Sequence, residues 1–294
     1  MFYRRKILLA LLQVFGNELD KIRLQKLLFL YTKQKENPDY EFVPYKYGCF
    51  SFSANADLNA LVKKEILVDL ESSFKKNDEV DYLKTLKELD QKKIQYIKDT
   101  YGNMNANSLM VHTYVNYPFW AIKSIKAKDI LTEKLYQRVV NATPNKQETI
   151  LYTIGYEGIS LEEYFLRLIK NDVKILVDVR RNPLSMKYGF SKGSLIKFCN
   201  ALGIEYIHFP EVGIQSNERQ ELNCQNDYDK LFDNYKQNNL SKTKDIQDKI
   251  LNLLIKYKRI ALTCFEADIC QCHRTHLAEA ISLNPNFNYI VEHI

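Results

Sequence analysis

Apolar positions in the first third of the chain fall at helical spacing. "RRKILLALLQVF" (Arg4–Phe15) and "IRLQKLLFLYTKQ" (Ile22–Gln34) each predict an amphipathic helix, and Gly16 with Asn17 between them predicts a stop. The next segment, "YEFVPYKYGCFSFSANADLNALVKKEIL", is aromatic and punctuated by Pro44 and Gly48. A third helix is expected within it, capped by Ser53 or Asn55, then a short strand at "ILVDL". Two helices, a turn, a third helix and a strand suit a winged-helix-like module. Residues 78–101 read as another charged amphipathic helix. "TYVNYPFWAIKS", which holds the only Trp, reads as a packing segment.

After "NATPNKQE" (Asn141–Glu148), a polar, proline-bearing linker, the rhythm changes. "TILYTIG", "VKILVDVR", "IEYIHFP", "RIALTCF" and "NYIVEHI" are short apolar runs, each suited to a buried parallel strand. Helical stretches lie between them at Leu161–Lys170, Ser194–Leu202, Asp227–Tyr235, Lys244–Tyr257 and Arg274–Ser282. The alternation predicts an α/β, Rossmann-like, mostly parallel sheet of about five strands over residues 149–294. A mainly helical, winged-helix-like domain over residues 1–140 precedes it.

Composition narrows this picture. A chain of 294 residues is long for one core, and 46% apolar residues is ordinary for a soluble globular protein. No run approaches the length of a membrane span. The start, "MFYRRKILLALLQVFGNELD", imitates a secretory signal, but Gln13 interrupts it and no small-residue cleavage site follows, so a cytoplasmic helix is expected. Six cysteines are too few for a disulfide scaffold of this size. The net charge of +6 lies wholly in residues 1–145, which hold 23 Lys+Arg against 17 Asp+Glu. A soluble surface explains that excess, and so does a DNA or RNA partner held by the first half.

Ligands of open α/β sheets bind beyond the carboxyl ends of the strands. Thr153, Gly155, Tyr156, Glu157 and Gly158 follow the first strand. Asp178, Arg180, Arg181, Pro183 and Ser185 follow the second. His208, Glu211 and Gly213 follow the third, with Arg219 further on. Cys264, Glu266, Asp268, Cys272, His273 and Arg274 follow the fourth. Together they predict one crevice. Asp178, flanked by Val177 and Val179, either pairs with Arg180 or Arg274 to fix the loop or acts as acid, base or nucleophile. Glu266 sits where a second carboxylate could face it. Arg180 and Arg274 suit a phosphate, whereas Arg181 reads as solvated. Gly155 and Gly158 let a backbone approach a ligand, but "GYEG" is not a dinucleotide fingerprint. His208 reads as a packed histidine.

The segment "ALTCFEADICQCHRTHLAEA" (Ala261–Ala280) has three readings. Cys264, Cys270, Cys272 and His276 could bind zinc, with Cys272 and His276 one helical turn apart, although the spacing is not a familiar zinc pattern. Cys272 could be a nucleophile at a helix start, where the dipole favours a thiolate. Or the cysteines are packing residues, Glu266, His273 and Arg274 carry the polar function, and the helix N-terminus seats an anion. The third is the favoured reading, and no metal or other cofactor is expected.

"YTIGYEG", "ILVDVRRNPLSMKYGFS", "LGIEYIHFPEVGI", "DYDKLFDNY" and "LTCFEADICQCHR" resemble the domain-of-unknown-function 488 family, in order, over about residues 149–294. By that resemblance the site is lined by Thr153, Gly155, Tyr156, Asp178, Arg180, Pro183, Ser185, Cys264, Glu266, Cys272, His273 and Arg274. Cys270 is an addition to the pattern, and "EVGI" stands where many members carry a double glycine. The first half is loosely similar to helical Panacea antitoxin-type domains. The resemblance implies a fold and a site but no reaction.

The expected function is therefore an enzyme acting on nucleic acid or a nucleotide. The basic half holds the polyanion. In the crevice Asp178 and Glu266 cleave, with Cys272 and His273 as further catalytic candidates and Thr153, Gly155, Tyr156, Arg180, Ser185 and Arg274 on the ligand. Glycosidic-bond cleavage fits paired carboxylates acting without a metal. The alternatives are a non-catalytic DNA-binding regulator or defence-associated sensor that binds a small anionic ligand, and a thiol enzyme using Cys272.

Overall fold

The structure is a computed structural model that describes residues 1–294 apart from 216, 217, 219–221 and 223. Arg219 thus lies outside the described residues. The chain divides into two compact units, Met1–Thr143 and Pro144–Ile294.

The first unit runs α1 (Tyr3–Val14), β1 (Glu18–Asp20), α2 (Lys21–Thr32), β2 (Val43–Tyr45), β3 (Gly48–Phe50), α3 (Phe52–Val62), β4 (Leu67–Asp69), β5 (Ser73–Lys76), α4 (Glu88–Tyr101), α5 (Ala106–Asn116), α6 (Ala127–Ile130) and α7 (Glu133–Ala142). Strands β1, β5 and β4 form an antiparallel sheet in that order, and β2 pairs with β3 in a separate hairpin. Gly16 and Asn17 both take positive φ, which ends α1 as their residue types suggest. The cap of α3 is Ser51, whose hydroxyl accepts from Ala54 N, and not Ser53 or Asn55, so the helix begins before either expected cap. The helix expected over 78–101 starts only at Glu88. Before it, Asp78 is tied back to Lys76 and Tyr82, which holds that segment in a turn. Trp120 is half-buried and packs edge-on to Phe29, against the core that α1 and α2 dominate.

Several of this unit's cations are used internally. Arg4 and Arg5 both donate to the buried carboxylate of Asp57, at 2.6 and 2.7 Å. Lys35 reaches Asp39 and Asp90. Lys26 is buried and donates to the Cys49 carbonyl at 2.9 Å, and burial pulls its pKa down.

The second unit alternates: β6 (Ile150–Gly155), α8 (Leu161–Lys170), β7 (Ile175–Asp178), α9 (Lys192–Ala201), β8 (Glu205–His208), α10 (Gln225–Asn238), α11 (Lys244–Tyr257), β9 (Arg259–Cys264), α12 (His273–Ser282) and β10 (Ile290–His293). All five strands are parallel in the order β10-β6-β9-β7-β8. The α/β class and the five-stranded sheet are as expected. Strands β6, β7 and β9 are buried at every residue, but β8 and β10 are not. They are the sheet's edges, so only one side of each is flanked by another strand. The chain passes from β6 over β9's place to β7, and β9 later fills the gap. The ends of β6, β9 and β7 therefore lie side by side at the place where the winding reverses, which is where such sheets bind ligands.

Candidate ligand site at the strand ends

Three adjacent strand ends set the site's backbone. In register, Gly155 of β6 pairs with Cys264 of β9, and Thr263 of β9 with Asp178 of β7. Gly155 is needed for packing. A β-carbon there would lie 1.9 Å from the Glu266 carbonyl oxygen, so its bareness lets the segment after β9 close over β6. Gly213 does the same for the backbone of Arg181, at 2.2 Å. Gly158 has φ +76° and open space around it, as a turn glycine should.

Asp178 is fully buried at the end of β7. Its Oδ1 accepts from Arg180 N (3.1 Å) and Nε (2.8 Å); its Oδ2 accepts from Arg180 Nη2 (2.5 Å) and from the Tyr206 hydroxyl (2.7 Å). Removing two charges from water costs several kcal/mol per ion, so the bidentate fork and the tyrosine are what make this burial tolerable. Arg180 gives its remaining Nη1 to the Tyr156 hydroxyl and the Phe190 carbonyl. Burial works against its charge, but Asp178's hydrogen bonds and charge outweigh that and hold the guanidinium above its ordinary value. Of the two partners proposed for Asp178, the structure selects Arg180. The pair fixes a loop: Asp178 has all four acceptor positions filled, and Arg180, which borders the hollow, has one Nη2 hydrogen beyond these bonds.

Glu266 meets two thiols. Its Oε2 accepts from the thiols of Cys264 and Cys272, each at 3.0 Å. Arg274 is 2% exposed and spans Thr153 Oγ1 (3.4 Å) and the carbonyls of Glu266 and Ala267, so it ties α12 to the segment after β9. That explains a cation in a first helical turn without invoking an anion. Thr153 is buried and bonded to His293 Nδ1 at 2.6 Å, away from solvent.

The zinc set drawn from spacing is not assembled. Cys270 is exposed in a short 3₁₀ turn. His276 bonds Glu279 and packs against Phe232. Cys272 is the N-cap of α12, with extended φ −128° and ψ 129°, so Cys272 and His276 do not share a helical face. Instead Cys264, Glu266, Cys272 and His273 place ligand-type atoms within 4.8 Å of one another. Burial weighs against a thiolate at Cys272. Burial first, then its hydrogen bond and charge interaction with Cys264 and the charge of Glu266, push this thiol well up, against the pull of Arg274. An activated thiolate needs the opposite balance.

Beside these groups a hollow of about 300 Å³ opens, lined by Tyr156, Arg180, Arg181, Asn182, Leu184, Ser185, Met186, Ile214, Cys264, Phe265 and His273. Asp178, Glu266, Cys272 and Arg274 are not in its wall. Arg181, read as merely solvated, is the exposed cation there, with one donor on the Pro210 carbonyl. Ser185 lies on the wall and accepts from Lys187 N, and Lys187 Nζ donates to the Tyr156 carbonyl at 2.6 Å. Leu184, Met186 and Phe265 are 84%, 105% and 43% exposed, three large apolar groups around one opening. His208 is packed as expected, its Nε2 donating to the Arg180 carbonyl. Pattern reading missed Tyr206, Asn182, Leu184, Met186, Ile214 and Phe265. For Tyr206 a signal existed: it stands two residues before His208, on the same strand face as the residue paired with Asp178.

The family Domain of unknown function DUF488 matches residues 160–281, which confirms the resemblance of the C-terminal half. No curated protein and no solved structure matches the chain.

Proposed function

We propose that the second unit binds a nucleotide, free or as one unit of a nucleic acid, in the hollow beside Cys264 and His273. The observation that carries this is the composition of the wall. Arg181, Asn182 and Ser185 supply a cation and hydrogen-bonding groups for a phosphate, and Leu184, Met186 and Phe265 supply exposed apolar surface for a base. Large apolar groups clustered around an opening call for something to cover them. The volume, about 300 Å³, is at the lower end for small-ligand pockets and suits one nucleotide better than a dinucleotide.

A binding role fits the carboxylates better than glycosidic cleavage does. Asp178 accepts four hydrogen bonds, and Glu266 turns to two thiols rather than across a scissile bond. The processing-enzyme reading retains one supporting observation: Cys264 and His273, which border Glu266, reach the wall of the hollow. In the first unit, the order α1–β1–α2–β2–β3–α3–β4–β5, with strand order β1-β5-β4 and the β2–β3 hairpin inserted between α2 and α3, supports a winged-helix-like module, and we extend the proposal to polyanion binding there. Its α3 carries only Asp57 as a charged residue, so the cations for such contact are Lys63 and Lys64 just beyond it.

Calorimetric titration of the purified chain with nucleoside monophosphates, short single-stranded DNA and RNA, and inorganic phosphate tests the binding claim. Nucleotide binding that exceeds phosphate binding and weakens about tenfold in Arg181→Ala, the loss of about one charge-assisted contact, is the expected result. Heat traces indistinguishable from buffer across the panel would sink it. Chromatography of the same mixtures reads base or phosphate release and decides between sensor and enzyme.

A further inference from the structure

We propose that Cys264, Glu266, Cys272 and His273 bind one thiophilic divalent cation of zinc's class, which clamps the end of β9 to the start of α12.

The first support is geometry. Four ligand-type atoms, two sulfurs, a ring nitrogen and a carboxylate oxygen, lie within 4.8 Å of one another. Glu266 Oε2 is 3.0 Å from each sulfur, and Cys264 Sγ is 3.6 Å from His273 Nδ1. The ligand–ligand edges of a zinc tetrahedron are roughly 3.3–3.8 Å, from metal–sulfur and metal–oxygen bonds of about 2.3 and 2.0 Å. The quartet is within side-chain adjustment of that figure.

The second support is independent of the first. His273 Nε2 is 3.0 Å from the Val179 carbonyl oxygen. A carbonyl only accepts, so Nε2 carries a hydrogen, and Nδ1 is the ring nitrogen directed at the Cys264 sulfur and placed to ligate a metal. A metal-binding histidine is oriented in this way, its second nitrogen anchored on a backbone carbonyl. The carbonyl belongs to the residue after β7, so the metal's outer partners reach a second strand.

Charge balance also fits. Two thiolates and a carboxylate bring three negative charges against two positive, and Arg274 acts on Cys272 as the nearby cation. On binding, two S–H protons pass to solvent as two sulfur–metal bonds form, with no change of oxidation state. Four protein ligands complete a tetrahedral shell, which marks a structural ion and leaves no position for substrate. Cys270, two residues before Cys272 and exposed, stays outside the shell, and so does His276.

The test uses the full chain, stripped of metal under reductant and titrated with cobalt(II). One equivalent should produce thiolate-to-cobalt charge-transfer bands with tetrahedral visible bands, and zinc(II) should bleach both. Cys264→Ser and Cys272→Ser should each lower affinity at least tenfold, whereas Cys270→Ser and His276→Ala should match the wild type. The proposal is overturned by a wild-type titration without charge-transfer bands, by equal loss in Cys270→Ser and Cys272→Ser, or by mass spectrometry that finds the purified chain metal-free with a Cys264–Cys272 disulfide. The wild-type spectrum stays decisive even where a variant misfolds. It also needs no nucleotide, so its outcome is separate from that of the hollow's ligand.

Discussion

Gly155 and Glu266 touch backbone to backbone: the space for a β-carbon on the one is filled by the carbonyl oxygen of the other, 1.9 Å away. Gly155→Ala must therefore push the segment after β9 off β6. We expect a loss of about 1–3 kcal/mol or more in chemical denaturation of the chain, the usual cost of overpacking. Gly158→Ala, which meets nothing but must hold φ +76°, should cost about 1–2 kcal/mol. Equal midpoints for Gly155→Ala and the wild type would contradict the close approach.

Asp178→Asn removes the charge that Arg180 was buried to meet. The variant should lose about 3–5 kcal/mol, because the guanidinium stays enclosed and loses its counter-charge. Asp178→Asn with Arg180→Met should recover part of that loss. A double-mutant cycle with no coupling would show that the pair is not what holds this loop.

Much of the second unit was legible before any coordinates. Buried strands β6, β7 and β9 announce themselves as short apolar runs, and helices α8 and α11 have the predicted limits of Leu161–Lys170 and Lys244–Tyr257. Legibility fails where one backbone residue changes the phase. Cys272 adopts extended angles at the helix cap, so counting four residues to His276 as a helical turn pairs the wrong side chains and misses its neighbour His273. Asp178 and Glu266 look like partners because both follow strands. Each was already met by closer groups, Arg180 two residues away and the two thiols, and spacing between strands cannot reveal that.

The first unit should weaken in acid through Asp90. Burial favours its neutral form, but hydrogen bonds from Tyr31 and Tyr3 and the ammonium of Lys35 outweigh this and depress its pKa. A depressed carboxyl contributes stability that is fully present above the ordinary aspartate value and is lost as pH falls through the depressed one. Thermal melting of the wild type should fall over that acid window. Asp90→Asn should melt lower at neutral pH and converge with the wild type as the pH drops; parallel curves would contradict the assignment.

Leu184→Ser and Met186→Ser should leave stability within about 0.5 kcal/mol, since both side chains are largely in solvent. Each should nonetheless weaken nucleotide binding, by about threefold to tenfold if the base covers them. Binding unchanged in the double variant would remove the apolar rim from the proposed site.

Arg180 secures its own loop at both roots, gripping Asp178 at the strand end and the Phe190 carbonyl on the far side. The stretch between, residues 181–189, is thus moored independently of what its tip contains. Such a tip can be exchanged like an interchangeable tool head: swapping 182–188 among variants should retune ligand preference while the sheet beneath keeps its register.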